Sequence, residues 1–162
     1  MEYIIESPKK EDIIKLNKIR TDDNNYKQIL SLTSETILET EKYFFNDSNY
    51  KESIVLKNQN EVIGYCQLRR NKEKRKNHTA TISIAIDANY HNKGCGNILL
   101  RNIISIAKNQ LCLKKLSLTV LESNSAAINL YKKHGFNIEG LLLNDTIVDG
   151  ELKNAYIMGL LL

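Results

Sequence analysis

Residues 79 to 109 leave the chain few ways to fold. In "TATISIAI" the residues Ala80, Ile82, Ile84 and Ile86 recur with a period of two, which marks a strand with one buried face. Farther on, Ile98, Leu99, Ile103, Ile106 and Ala107 recur at helical spacing, so a helix from about Gly94 to Asn109 has an apolar stripe to bury. The period changes at "HNKGCG", where Gly94 and Gly96 can adopt backbone conformations denied to other residues. Strand, tight turn and amphipathic helix together require a helix packed on a sheet, so the fold class is α/β.

The rest of the chain alternates in the same way. A short strand at Tyr3 to Glu6 is stopped by Ser7-Pro8, and "KEDIIKLNKI" places Ile13, Ile14 and Leu16 on a helical stripe. A second helix is expected in "TSETILETEKYFF", with Thr33 or Ser34 as its N-cap. Strands "ESIVLKN" and "EVIGYCQLRR" flank Gln59-Asn60, a hairpin signal, and "HTATISIAID" follows as the next strand. After the glycine turn and its helix come a strand "KLSLTVL", a helix "NSAAINLYKKH", and two closing strands around Asp149-Gly150. No repeat or linker separates halves, so residues 1–162 are expected to form a single domain, long enough to bury roughly two thirds of the unfolded surface.

Charge and cysteine usage exclude several classes. A net charge of +4 is too mild for a chain whose main partner is nucleic acid. The basic run "RRNKEKRKN" at 69–77 has no interleaved aromatics and fits an exposed hairpin tip better than a nucleic-acid surface. Cys66, Cys95 and Cys112 form no CxxC pattern, which implies free thiols in a reducing compartment and no metal site. No segment approaches eighteen unbroken apolar residues, so the expectation is a soluble, cytoplasmic protein without a membrane partner.

Two segments carry chemistry. At the first, backbone N–H groups at a helix start can hold phosphate if no side chain blocks them, and the alternative is a plain turn that needs positive φ. It is not a dinucleotide fingerprint, because Leu99 stands where GxGxxG needs glycine, nor a P-loop, because GK followed by Ser or Thr is missing. Cys95 reads as a small residue in a tight turn rather than a nucleophile, since no histidine and acid accompany it. The second segment is "VLESNSAAINLYKKHGF", where Asn124 and Tyr131 lie two helical turns apart, about 10 Å along one face. They can share a ligand, or they can be an N-cap and a core aromatic. Gly135 reads as an ordinary helix C-cap.

Together these segments resemble the GNAT superfamily of acetyl-CoA-dependent N-acetyltransferases, nearest in pattern to its polyamine (spermidine) and L-amino acid acetyltransferases. The family pattern of Gln or Arg, two residues, Gly, one residue, then Gly or Ala corresponds to His91-Asn92-Lys93-Gly94-Cys95-Gly96. Its later element, Asn, six residues, Tyr, three residues, then Gly-Phe, runs from Asn124 through Tyr131 to Gly135-Phe136. The resemblance spans roughly residues 60–160, and "DGELKNAYIM" looks like the family's tail.

It implies a mixed, mostly antiparallel, splayed central sheet flanked by helices, with acetyl-CoA as cofactor. The pantetheine arm would run beside Ile84, Ala85 and Ile86. The pyrophosphate would sit on the amides from Lys93 to Asn97, that is Lys93, Gly94, Cys95, Gly96 and Asn97, with His91 and Asn92 leading into the loop. His91 replaces the usual Gln or Arg, which puts that one contact in doubt. Asn124, Ala127, Tyr131 and Lys133 would complete the cofactor contacts. Tyr131 would act as the general acid, its phenol protonated at pH 7 with a reference pKa of about 10.

An alkyl amine acceptor is neutral only about once in 10³ at pH 7, so some base is needed. Relatives place a carboxylate where this chain has Thr81, and Glu35, Glu39 and His78 are the remaining candidates besides water. Glu35 and Glu39, four apart, could line an acceptor site for a polyamine, or they could be a solvated helix face. The resemblance thus implies a small-molecule amine as partner, a direct transfer and, as in many such enzymes, a homodimer. The alternatives are an acetyltransferase acting on protein amino termini and a non-catalytic acyl-CoA-binding module, for which Tyr131 would be superfluous.

Overall fold

The computed structural model describes residues 3–29 and 32–162. Its seven strands are β1 (Tyr3–Glu6), β2 (Lys51–Asn58), β3 (Glu61–Arg70), β4 (Thr79–Ile86), β5 (Lys115–Leu121), β6 (Asn137–Val148) and β7 (Glu151–Leu161). They form one sheet in the order β1-β2-β3-β4-β5-β7-β6. Every pairing is antiparallel except β4 with β5. This is the mixed, mostly antiparallel sheet implied above. The β2–β3 turn holds Gln59 and Asn60 at φ 50° and 69°, the left-handed pair that a two-residue hairpin requires. Asp149 and Gly150, at 51° and 80°, do the same between β6 and β7.

The sheet splits in the middle. β4 and β5 pair only through Thr79↔Lys115, Ala80↔Leu116 and Thr81↔Ser117. Beyond Thr81 the strands diverge, and β4 runs on to Ile86 with one edge open. The Asp87 N–H donates to Ile63 O on the β3 side at 2.8 Å. Alternation along the strand therefore turns the N–H and C=O of Ile84 and Ile86 toward the open edge.

Helices cover both faces. By the pleat, the row Val55, Tyr65, Ala85 lies on one face and the row Ile54, Cys66, Ile84 on the other. On the first face pack α1 (Ile13–Thr21) and α3 (Ile37–Phe45), with α2 (Tyr26–Ile29) between them in sequence. Ile13, Leu16 and Ile19 form the buried stripe of α1, whereas Ile14 is 61% exposed. The expectation for Ile14 fails because it lies about 100° round the helix from Ile13 and about 200° from Leu16, so the stripe set by Leu16 leaves it facing outward.

On the second face pack α4 (Cys95–Ser105) and α5 (Ser125–Lys133), around Leu99, Leu100, Ile103, Ile128 and Phe136. The single helix expected to Asn109 relaxes into a π-helical stretch at Ile106–Gln110. The cap of α3 is Thr36, not Thr33 or Ser34. Its hydroxyl accepts from Glu39 N–H at 3.2 Å while the Glu39 carboxylate accepts from Thr36 N–H at 2.7 Å, a reciprocal box that needs an acid three residues on. The basic run behaves as expected: Arg69 and Arg70 end β3, and residues 72–77 form an exposed turn.

Candidate active site

The fork encloses a cleft of about 850 Å³ that takes its walls from both helical layers. The open edge at Ile84, Ala85 and Ile86 is one wall, and Thr119 and Val120 of β5 are the other. At its mouth α4 begins. Gly94 caps it at φ 82°, ψ 0°, and a Cβ built there would meet nothing within 4 Å. The first helical bond joins Ile98 N–H to Gly94 O, which leaves the N–H groups of Cys95, Gly96 and Asn97 without intrahelical partners. The positive end of the helix dipole thus faces open space.

Gly96 lines the cleft and has a packing duty as well. A Cβ there would lie 2.8 Å from Leu130 Cδ2, so this glycine lets α5 close against α4. Cys95 is 1% exposed, in keeping with a packed small residue. His91 lies at the cleft, and its Nε2 is 2.9 Å from Ile86 O, so that nitrogen is a donor engaged with the end of β4. Asn92 lines the cleft at φ 59°, whereas Lys93 is not among the lining residues and holds its ammonium 4.9 Å from the Tyr90 ring centroid. Asn97 Oδ1 accepts from His134 Nε2 at 3.1 Å.

From α5, Asn124, Ala127, Tyr131 and Lys133 all line the cleft. Asn124 caps the helix, its Oδ1 accepting from Ala127 N–H at 3.1 Å, so capping and cleft lining coincide in one residue. Tyr131 is 7% exposed and its ring lies against Phe136 at 5.8 Å. Burial, with Cys66 nearby, raises its pKa well above the usual phenol range. No described residue hydrogen-bonds its hydroxyl.

The acidic candidates are occupied elsewhere. Glu35 precedes α3 and does not share a helix face with Glu39. Its carboxylate takes Arg20 Nε at 2.6 Å and Nη2 at 2.7 Å, and the Thr40 hydroxyl at 2.7 Å. Burial pushes the Glu35 carboxyl up, but the hydrogen bonds from Arg20 and Thr40 outweigh that and hold it below the usual range. The same guanidinium donates to Tyr65 Oη at 2.7 Å and stacks 3.7 Å over the Tyr43 ring. Glu39 is spent on the cap of α3. His78 is exposed just before β4, the end remote from Ile86, and its carbonyl accepts from Lys114 and Lys115. None of the three reaches the cleft wall.

Two parts of the site have no signature in the sequence. Asn25 is 4% exposed and ties Ile19 O (3.0 Å) to Ile86 O (2.9 Å), joining the end of α1 to the end of β4 at the cleft wall. A smaller cavity of about 220 Å³ opens on the α3 face beside the fork, walled by Tyr43, Gln67, Arg69, Thr81, Ile82 and Ser83. Among the described residues, no three His, Cys, Asp or Glu side chains gather as a metal site would need, and no helix is long and apolar enough to cross a membrane.

The family described as "Acetyltransferase (GNAT) family" matches residues 16–136. The L-amino acid N-acetyltransferase of Escherichia coli (strain K12) is 34% identical over 98 residues, 60% of each chain. Spermidine N(1)-acetyltransferase of the same organism is 33% identical over 79 residues, 49% of this chain and 42% of that one. The aligned segment thus spans about half the length of these curated relatives. The crystal structure of an N-acetyltransferase from Staphylococcus aureus Mu50 shares the fold, with a TM-score of 0.90 at 24% identity over 99% of this chain and 98% of that one. With most of the chain inside the family match and the sheet split where the cleft lies, the chain belongs to the GNAT acetyltransferase family.

Proposed function

We propose that the protein moves an acetyl group from acetyl-CoA to a primary amine of a small molecule, in one direct transfer. The observation that carries this reading is the meeting, at one fork in the sheet, of a free strand edge, a helix start with open space before it, and a buried phenol. The aligned relatives, an L-amino acid and a spermidine acetyltransferase, support amines as acceptors.

The residues present fit such a donor. Unpaired N–H groups of Cys95, Gly96 and Asn97 suit a pyrophosphate, and Gly94 leaves their approach clear. Main-chain groups of Ile84 and the N–H of Ile86 suit the amides of a pantetheine arm, while Ile86 O is already used by Asn25 and His91. Lys133 adds a cation at the cleft.

Acetyl-CoA, when bound, supplies an acetyl carbon activated as a thioester. Tyr131 would give its proton to the departing sulfur as the amine nitrogen bonds to that carbon and the C–S bond breaks. The phenol is protonated at pH 7, as the role needs, and burial makes it a weaker acid than an ordinary phenol, so its proton leaves only as charge develops on the sulfur. The proton shed by the new amide returns to the phenol through solvent. With Glu35 and Glu39 engaged and His78 remote, no side chain is assigned as the base that neutralises the amine. The rate should therefore climb with pH toward the acceptor's own pKa of about 10.

The test is thiol release from acetyl-CoA in the presence of amines, amino acids and peptides. Release that requires both acetyl-CoA and an amine is expected. Release no faster than in protein-free solution, with every acceptor, would sink the proposal.

A further inference from the structure

The smaller cavity bears a charge pattern that the fold alone does not explain. Lys51, Arg69 and Thr81 are direct cross-strand neighbours on β2, β3 and β4, and Ser53, Gln67 and Ser83 form the next row. Both rows face α3, since Gln67 donates to Ser53 Oγ at 3.0 Å and to Tyr43 O at 3.1 Å, and the Tyr43 and Ser83 hydroxyls are 2.6 Å apart. Two cations directly opposite one another on a sheet are unfavourable unless something negative lies between them.

Among the described residues no carboxylate forms an ion pair with either Lys51 or Arg69. Arg69 is exposed and makes no ion pair or hydrogen bond among the described residues. Lys51 donates to Tyr43 O at 2.9 Å and lies 5.8 Å from the Tyr43 ring centroid, and its other two N–H groups have no hydrogen-bond partner among the described residues. Of the charges that bear on Lys51, Arg69 and Lys72 repel it and Asp47 attracts it, while Asp47 is itself paired with Lys72 at 3.2 Å. Glu52 points to the opposite face by the pleat. No carboxylate lines the cavity.

Position gives the pattern its meaning. Thr81 is the last residue of β4 held by β5, and on the same face Ser83 of the cavity is followed two residues on, about 7 Å, by Ala85 of the cleft wall, so the cavity adjoins the cleft. Gln67 is 3% exposed, and with its NH₂ group engaged its Oε1 is the acceptor left to the cavity wall.

The geometry points to an acceptor that carries a carboxylate beside its amine: Arg69, with Lys51 opposite it, holds the carboxylate, and Gln67 Oε1 with the Ser83 hydroxyl receives the amine N–H. This rests on the acetyl-transfer reading above and narrows it to amino acids, against the polycationic acceptor that Glu35 and Glu39 would have favoured. Arg69 acts as a specificity-determining residue.

The experiment compares thiol release with the free L-amino acids, their α-carboxamides and spermidine, in the unaltered protein and in Arg69→Gln and Arg69→Lys. Acetyl-CoA binding is measured alongside, and thermal melting serves as the folding control. A free amino acid should turn over about 10- to 100-fold faster than its amide, and Arg69→Gln should remove that preference through KM while Arg69→Lys keeps part of it. Amides or spermidine turning over as fast as the free acids would overturn the carboxylate seat and leave acetyl transfer standing. Thiol release by none of the panel, with acetyl-CoA bound, would overturn the carboxylate seat together with the transfer to a small-molecule amine on which it rests. Failure to bind acetyl-CoA at all would overturn the proposed function itself.

Discussion

The two faces of this sheet prepare for ligands by different means. On the α4–α5 face and along the fork, the groups on offer belong to the main chain: the edge of β4, and three amides at the start of α4. On the α1–α3 face the polar groups are side chains, many of them already committed to one another around Arg20, Glu35, Tyr43 and Tyr65. Main-chain recognition depends on the absence of side chains and on where strands part. Side-chain recognition depends on register between strands distant in sequence. The first tolerates sequence change and fits a ligand shared across a family; the second is where members of a family can differ.

The contrast is sharpest at Tyr131, where one side chain enters a site otherwise built from backbone. Replacing it with Phe removes the hydroxyl and keeps the ring against Phe136. Turnover should fall by about 10²- to 10⁴-fold, the usual share of a general acid, with acetyl-CoA affinity unchanged. Steady-state rates and equilibrium binding on the same preparation check both halves. Equal turnover in the two proteins would mean that the phenol is only a core aromatic.

On the other face, the expected loss is of stability. Arg20→Gln strips the charge partner from a carboxylate that is 12% exposed, and breaking a buried pair from one side costs about 3–5 kcal/mol. Denaturant unfolding measures it. The same pair predicts an acid response. Because the folded pKa of Glu35 is depressed, its contribution is present above the ordinary carboxylate pKa and disappears as pH falls through the folded value. The acid sensitivity of melting should be blunted in Glu35→Gln, and an unchanged slope would remove Glu35 from the account.

The same division governs what can be read from the sequence. The strand–turn–helix at 79–105 and the Asn124–Tyr131 pairing are legible because periodicity and glycine spacing are local properties. The fork is less so, since it depends on where β5 stops pairing with β4. Thr36 was hidden among "TSET", where three candidates precede the acid and only the one three residues before Glu39 closes the box. Glu35 looked available because Arg20, fifteen residues earlier, carries no mark of its partner. Asn25 reaches Ile86 across 61 residues, and Lys51 meets Arg69 only through hairpin register, so neither leaves a trace in composition or spacing.

The smallest effects test whether the cradle is made of main chain. Ala at 94 must hold φ near 82°, a left-handed conformation that costs roughly 1–2 kcal/mol, and its methyl group projects into the open space before the amides. Acetyl-CoA affinity should fall about tenfold, ~1.4 kcal/mol. Gly96→Ala presses on Leu130 instead, so it should shift melting and leave affinity nearly unchanged. Lys93→Ala should do least, under about fivefold and fading with added salt, because Lys93 is not among the lining residues and its ammonium is held over the Tyr90 ring at the cleft's edge. Calorimetric titration of the three variants with coenzyme A ranks them. If Lys93→Ala lost more affinity than Gly94→Ala, the pyrophosphate would be held by a side chain, and the contrast between the two faces would disappear at the place where it is argued most strongly.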